Sequence, residues 1–221
     1  MQILKLIVLF IVSFVSSFLI FALVLPSSFS LSNYIEIERS KEVVFKTLKN
    51  LEDRKIWYTL VDSNLVSTVK ITGDGSNGSK FTWKFGEVEV VLSDIKKMEN
   101  KIKFVNYPVN AAVINYQLNT QGTEIFDLVE AQQRTTVTWS ISGGPLDYPV
   151  GKIVTAAVQY KIYKEMEKSL FKLKDYIESV QVEETPKENT QNNVQVQQNI
   201  QQEQQQQEQQ QQEQNTDTPQ N

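Results

Sequence analysis

The chain has 221 residues, no cysteine, no histidine and a formal charge of −4. Missing thiols and imidazoles exclude disulfide frameworks, Cys/His zinc sites, cysteine nucleophiles and Ser-His-Asp triads. The charge is unevenly placed: the residues after Val180 hold one lysine and seven acids, net −6, so the rest sums to about +2 and gives no reason to expect a nucleic-acid partner.

Leu6 to Leu25 reads LIVLFIVSFVSSFLIFALVL, without a charge. At 1.5 Å per residue such a run covers about 30 Å, the hydrocarbon thickness of a bilayer. Residues 1–30 are therefore read as a transmembrane signal-anchor; a cleaved signal peptide is the competing reading, but its apolar region is normally about 7 to 15 residues and ends in an A-x-A-like site. Lys5 precedes the span, whereas Glu36 and Glu38 stand among the first charges after it, with Arg39 and Lys41. The positive-inside tendency then makes this a single-pass membrane protein with its domain on the non-cytoplasmic side.

Residues 31–180 form the expected domain. Asn33 to Arg39 alternates, with Ile35 and Ile37 on one face, as a half-buried strand does. Ser40 is placed to cap a helix whose stripe is Val44, Phe45 and Leu48, and a second short helix is expected at 51–57. Period two returns at 66–71 and at 79–86, where Phe81, Trp83 and Phe85 share a face. Further strands are expected at 87–95, 101–106, 112–130 with a break near Gln121-Gly122, and 135–141. Short turns between them favour an antiparallel meander. Val154, Val158, Ile162, Met166, Leu170, Leu173 and Ile177 then mark one long amphipathic helix over 150–179. Its lysines 161, 164, 168 and 172, with Glu165, Glu167 and Asp175, read as a solvated face. Residues 181–221 are glutamine-rich with almost no large apolar side chain, and are expected to be disordered, with no partner identifiable.

This order of strand, two short helices, strands and long C-terminal helix resembles the START-like superfamily, also called SRPBCC, which includes the polyketide cyclase and lipid transport group. The resemblance runs from about Asn33 to Ser179. It is carried by the IEIERSKEVVFKTLKN opening, by Trp57 closing the short-helix pair, by Gly78 to Trp83 (GSKFTW), and by Thr135 to Trp139 (TTVTW). It implies an α+β helix-grip fold: a curved antiparallel sheet wrapped around the C-terminal helix, with a mostly apolar cavity between them.

Gly73 to Gly78 fits G-x-G-x-x-G, but a strand follows where a dinucleotide site needs a helix, so the glycines are read as turn formers. Asn77-Gly78-Ser79 is a glycosylation sequon, meaningful in a eukaryote only. No spacing suggests a metal, a cofactor or a catalytic acid–base pair. Asp94, Glu124, Asp127 and Glu130 lie in strand segments and read as exposed, salt-bridging carboxylates. The leading expectation is thus a membrane-anchored, non-catalytic domain binding a hydrophobic or amphipathic small molecule, lipid included. Its site candidates are Phe81, Trp83, Tyr116, Trp139, Val154, Val158 and Ile162. The rival readings are a cyclase- or hydrolase-like enzyme using a cavity carboxylate or tyrosine, and a scaffold acting through its tail.

Overall fold

The computed structural model describes residues 1–111 and 114–180. The glutamine-rich segment expected to be disordered lies outside them.

Helix α1 (Gln2–Val24) has the apolar composition and the length of a bilayer span, and nearly all of it is exposed. Strand β1 (Phe29–Ile37) starts four residues earlier than its alternation suggested, because Phe29 is buried and its strand pairs with β7 from Gly143 onward. Helix α2 (Lys41–Lys49) buries Val44 and Leu48, and α3 (Arg54–Trp57) follows at once. Half of the strand expected at 66–71 is the end of a 3-10 turn, Ser63–Thr68, and only its last residues enter β2 (Lys70–Thr72). Then come β3 (Lys80–Trp83), β4 (Gly86–Ser93), β5 (Lys97–Ala111), β6 (Ile114–Ala131) and β7 (Arg134–Gly144).

The seven strands form one sheet in the order β1-β7-β6-β5-β4-β3-β2, antiparallel throughout. Strand β6 runs unbroken through Gln121 and Gly122. A Cβ at Gly122 would lie 1.8 Å from the Ser142 carbonyl oxygen, so glycine here permits close backbone approach instead of ending the strand. Register shifts between Val90 and Leu92 in β4 and between Phe104 and Tyr107 in β5 bend the sheet. The glycine-rich connection between β2 and β3 is a turn, as read: Gly73, Gly75 and Gly78 all have positive φ.

The C-terminal helix is in two pieces, α4 (Val150–Ile153) and α5 (Thr155–Ser179), jointed at Val154. The inner face of α5 carries Val158, Ile162, Met166, Leu170, Leu173 and Ile177, all buried against the concave side of the sheet. Fully burying one such side chain stabilises the fold by about 1.5–3 kcal/mol.

Candidate functional site

Two features stand out where α3, the sheet and α5 meet: a buried polar cluster and an open cleft beside it.

The cluster is built from three elements. On α3, Arg54 falls midway between Leu51 and Trp57, so three-residue spacing turns all three inward. On β5, Asn100 shares a face with Met98 and Ile102; on β6, Glu124 shares one with Phe126 and Leu128. Asn100 and Glu124 are register partners, and the Asn100 amide donates to Glu124 Oε2 at 2.7 Å. The Arg54 guanidinium is ion-paired with the same carboxylate oxygen, and the Tyr58 hydroxyl donates to Oε1 at 2.9 Å. Aromatic rings enclose the cation, with Arg54 Cζ 4.3 Å from the Tyr58 ring centroid and 5.6 to 5.8 Å from those of Trp57, Phe81 and Phe126.

Burial works against charge on Arg54, yet the Glu124 carboxylate more than offsets it and holds the guanidinium pKa above its ordinary value. Burial, reinforced by the same carboxylate, pushes the Tyr58 phenol well up. The cluster keeps polar capacity in reserve: Arg54 Nε and Nη1, Asn100 Oδ1 and the indole N–H groups of Trp57, Trp83 and Trp139 are buried without a protein partner. Buried groups of this kind ordinarily find a hydrogen bond to protein, water or ligand.

The cleft has a volume of about 840 Å³ and opens to solvent between α5, the sheet and the α3-to-β2 segment. Tyr58, Leu60, Val61, Phe85, Tyr107 and Pro108 supply much of its wall, and Lys161, Lys168 and Lys172 from α5 stand along it. Glu165 receives Lys161 at 3.0 Å and Lys168 at 3.3 Å. Burial opposes its charge, but the lysines prevail and hold its carboxyl below the usual range. The lysines of this row are solvent-exposed in part, as read, and three of them stand along the cleft; Glu165 departs from the reading, being buried beneath them. Burial likewise raises the Tyr107 phenol.

None of the seven residues expected to line a cavity borders this cleft. All seven are buried. Phe81, Trp83 and Trp139 pack around the Tyr58 ring at centroid distances of 5.9, 6.2 and 5.7 Å. Val154, Val158 and Ile162 lie on the inward face of the C-terminal helix, and Tyr116 sits apart with its hydroxyl 3.5 Å from Asp147. Of the carboxylates read as exposed and salt-bridging, Asp94 is exposed but lies in the β4–β5 turn, Asp127 is exposed and Glu130 half-buried, and none of the three is ion-paired among the described residues; Glu124 is corrected, being fully buried in phase with Phe126 and Leu128. The signal that would have found the cluster is a polar residue in step with apolar ones, at Arg54, Asn100 and Glu124 alike. Phe85, expected on a strand, lies in the β3–β4 turn and lines the cleft.

No family model matches the sequence, and no curated protein does. Solved structures do match. A protein from the dynemicin biosynthetic locus, DynU16, is 9% identical with a TM-score of 0.46; the match covers 68% of this chain but only 47% of that one, so this chain spans about half its length. CalU16 from Micromonospora echinospora is 10% identical over 70% of this chain and 78% of its own, TM-score 0.47. Norcoclaurine synthase from Thalictrum flavum is 12% identical over 69% and 88%, TM-score 0.49. On its own topology, a seven-stranded antiparallel sheet curved around a long C-terminal helix with two short helices after the first strand, the domain has a helix-grip fold.

Proposed function

We propose that the protein is a membrane-anchored START-like domain that holds a hydrophobic or amphipathic small molecule, lipid included, between its sheet and its C-terminal helix. The observation that carries this reading is the cleft of about 840 Å³, whose lining combines apolar side chains such as Leu60, Val61 and Phe85 with polar ones on the α3-to-β2 segment and lysines along α5. Small-molecule sites are typically concave, mostly apolar and provided with a few polar groups. In this reading Tyr58 is the inner wall, Phe81, Trp83 and Trp139 are the packed layer behind it, and Val154, Val158, Ile162 and Tyr116 belong to the buried core, outside the seat. Affinity comes from apolar area removed from water, at about 25 cal/mol per Å² before the costs of association. Helix α1 anchors the domain, with Lys5 on the cytoplasmic side and the domain on the other.

The test is displacement of an environment-sensitive apolar fluorophore from the full-length protein in detergent micelles below saturating lipid. Wild type should take up the probe and release it to added fatty acid, and Val66→Trp, which fills the cleft from its rim, should not. Equal uptake by the two proteins would place binding elsewhere.

A second reading, cyclase- or hydrolase-like catalysis, is supported by the 2.9 Å hydrogen bond from Tyr58, a residue of the cleft wall, to the buried Glu124. Such a pair can move a proton between phenol and carboxylate. A turnover that survives Tyr58→Phe unchanged would remove it.

A further inference from the structure

Helix α1 does not end free of the domain. Ala22, in its last turn, is fully buried. The Tyr148 hydroxyl donates to the Leu19 carbonyl at 3.0 Å, and the Lys152 ammonium donates to the Leu23 carbonyl at 3.1 Å. Both donors belong to residues 145–153, the connection from β7 into the C-terminal helix. Its sequence, PLDYPVGKI, carries only Asp147 and Lys152 as charges. Tyr148 is 49% exposed and Val150 44%, so each turns about half of a large apolar side chain outward.

Depth follows from helix geometry. Twenty-three residues of α1 rise about 34 Å, against a hydrocarbon core of about 30 Å. In a centred span the Leu19 carbonyl lies roughly 10 Å from the midplane, about 5 Å inside the hydrocarbon boundary. A side chain that reaches that carbonyl shares its depth. Tyrosine and lysine are the residues suited to this zone, each with an apolar body and a polar tip. Here the Tyr148 hydroxyl and one hydrogen of the Lys152 ammonium are held by helix carbonyls.

We propose that residues 145–153 form a second membrane contact, seated in the phospholipid interface beside α1, with Tyr148 and Val150 against the lipid and Lys152 at its edge. The inference rests on α1 spanning the bilayer. Its consequence is that the domain lies against the membrane in a fixed orientation and does not swing on a tether, because attachment at α1 and at this segment leaves no free axis between them.

The chain has no cysteine, so single substitutions label one site each. Spin labels on Phe14→Cys, Val150→Cys and Val129→Cys would be read in the full-length protein in phosphatidylcholine–phosphatidylglycerol vesicles, by relaxation with oxygen and with a water-soluble nickel chelate. Val129 is the aqueous reference: it is 64% exposed and lies roughly 23 Å along the sheet from Gly143, the β7 residue facing the start of β1. Labels at positions 14 and 150 should both favour oxygen over the chelate several-fold relative to position 129. A lipid-like signal at 14 with a position-129-like signal at 150 would overturn the second contact and leave the anchor standing. An aqueous signal at 14 would overturn the span and the contact with it.

Discussion

The Tyr58 hydroxyl donates to the Glu124 carboxylate across 2.9 Å, and through that bond the wall of an open cleft is joined to an ion pair with no solvent contact. Arg54, on the other side of Glu124, completes a cation-carboxylate-phenol line that passes from core to cleft. The arrangement sets stability and binding in the same few residues.

Breaking the pair from one side should be costly. Arg54→Met leaves Glu124 buried and uncompensated, which typically costs about 3–5 kcal/mol, a large share of a domain's total stability of about 5–15 kcal/mol. Adding Glu124→Gln removes the orphan charge and keeps an acceptor oxygen for Tyr58, while the new amide N–H can donate to Asn100 Oδ1 once the Asn100 amide turns over. Urea unfolding should therefore rank wild type and the double variant well above Arg54→Met.

Little of this cluster was legible in the sequence, for a physical reason. The alternation of apolar residues located β1, β3, β4 and β7 and the C-terminal helix, because one face of each is buried and period follows burial. Arg54, Asn100 and Glu124 obey the same periods, but a polar or charged side chain at an inward position is the rare outcome, so Glu124 read as exposed and Arg54 and Asn100 drew no reading at all. The partners lie on separate elements, and local pattern carries no information about which elements meet. The seven aromatic and aliphatic candidates were inward-facing as their periods required, yet whether inward residues fill a core or line a cavity is decided by packing. Much of the cleft is lined instead by the α3-to-β2 connection, whose apparent alternation at 66–71 is half in a 3-10 turn and so did not report a buried face.

The lysines on Glu165 make an acid-sensitive contribution. Its folded pKa is depressed below the ordinary 4.5, so its stabilisation is fully present above that value and is lost as pH falls through the folded pKa. Glu165→Gln should cost about 0.5–1 kcal/mol at pH 7, and the difference from wild type should disappear as both proteins are acidified below pH ~4. Chemical denaturation at a series of pH values checks the sign. A cost that persists unchanged into acid would mean the ion pairs contribute nothing.

Glycines in the β2–β3 turn should respond unequally to alanine. At Gly75, φ is +85° and a Cβ would sit 1.9 Å from the Lys49 carbonyl oxygen; at Gly78, φ is +84° but the space is open. Gly78→Ala then bears only the left-handed backbone cost of about 1 kcal/mol, some 2–4 °C in Tm for a domain this size. Gly75→Ala must also displace the end of α2, and its loss should be at least twice as large. Thermal melts of the two variants decide it; equal shifts would show that the Lys49 contact relaxes freely.

The central claim, a small molecule held between sheet and helix, is tested most directly by native mass spectrometry of the full-length protein released from detergent micelles, followed by solvent extraction of what was bound. Wild type should carry a discrete amphipathic mass beyond the intact chain, and Val66→Trp, folded to the same Tm, should lose it. Wild type free of any bound mass, or both proteins carrying the same one, would contradict the account.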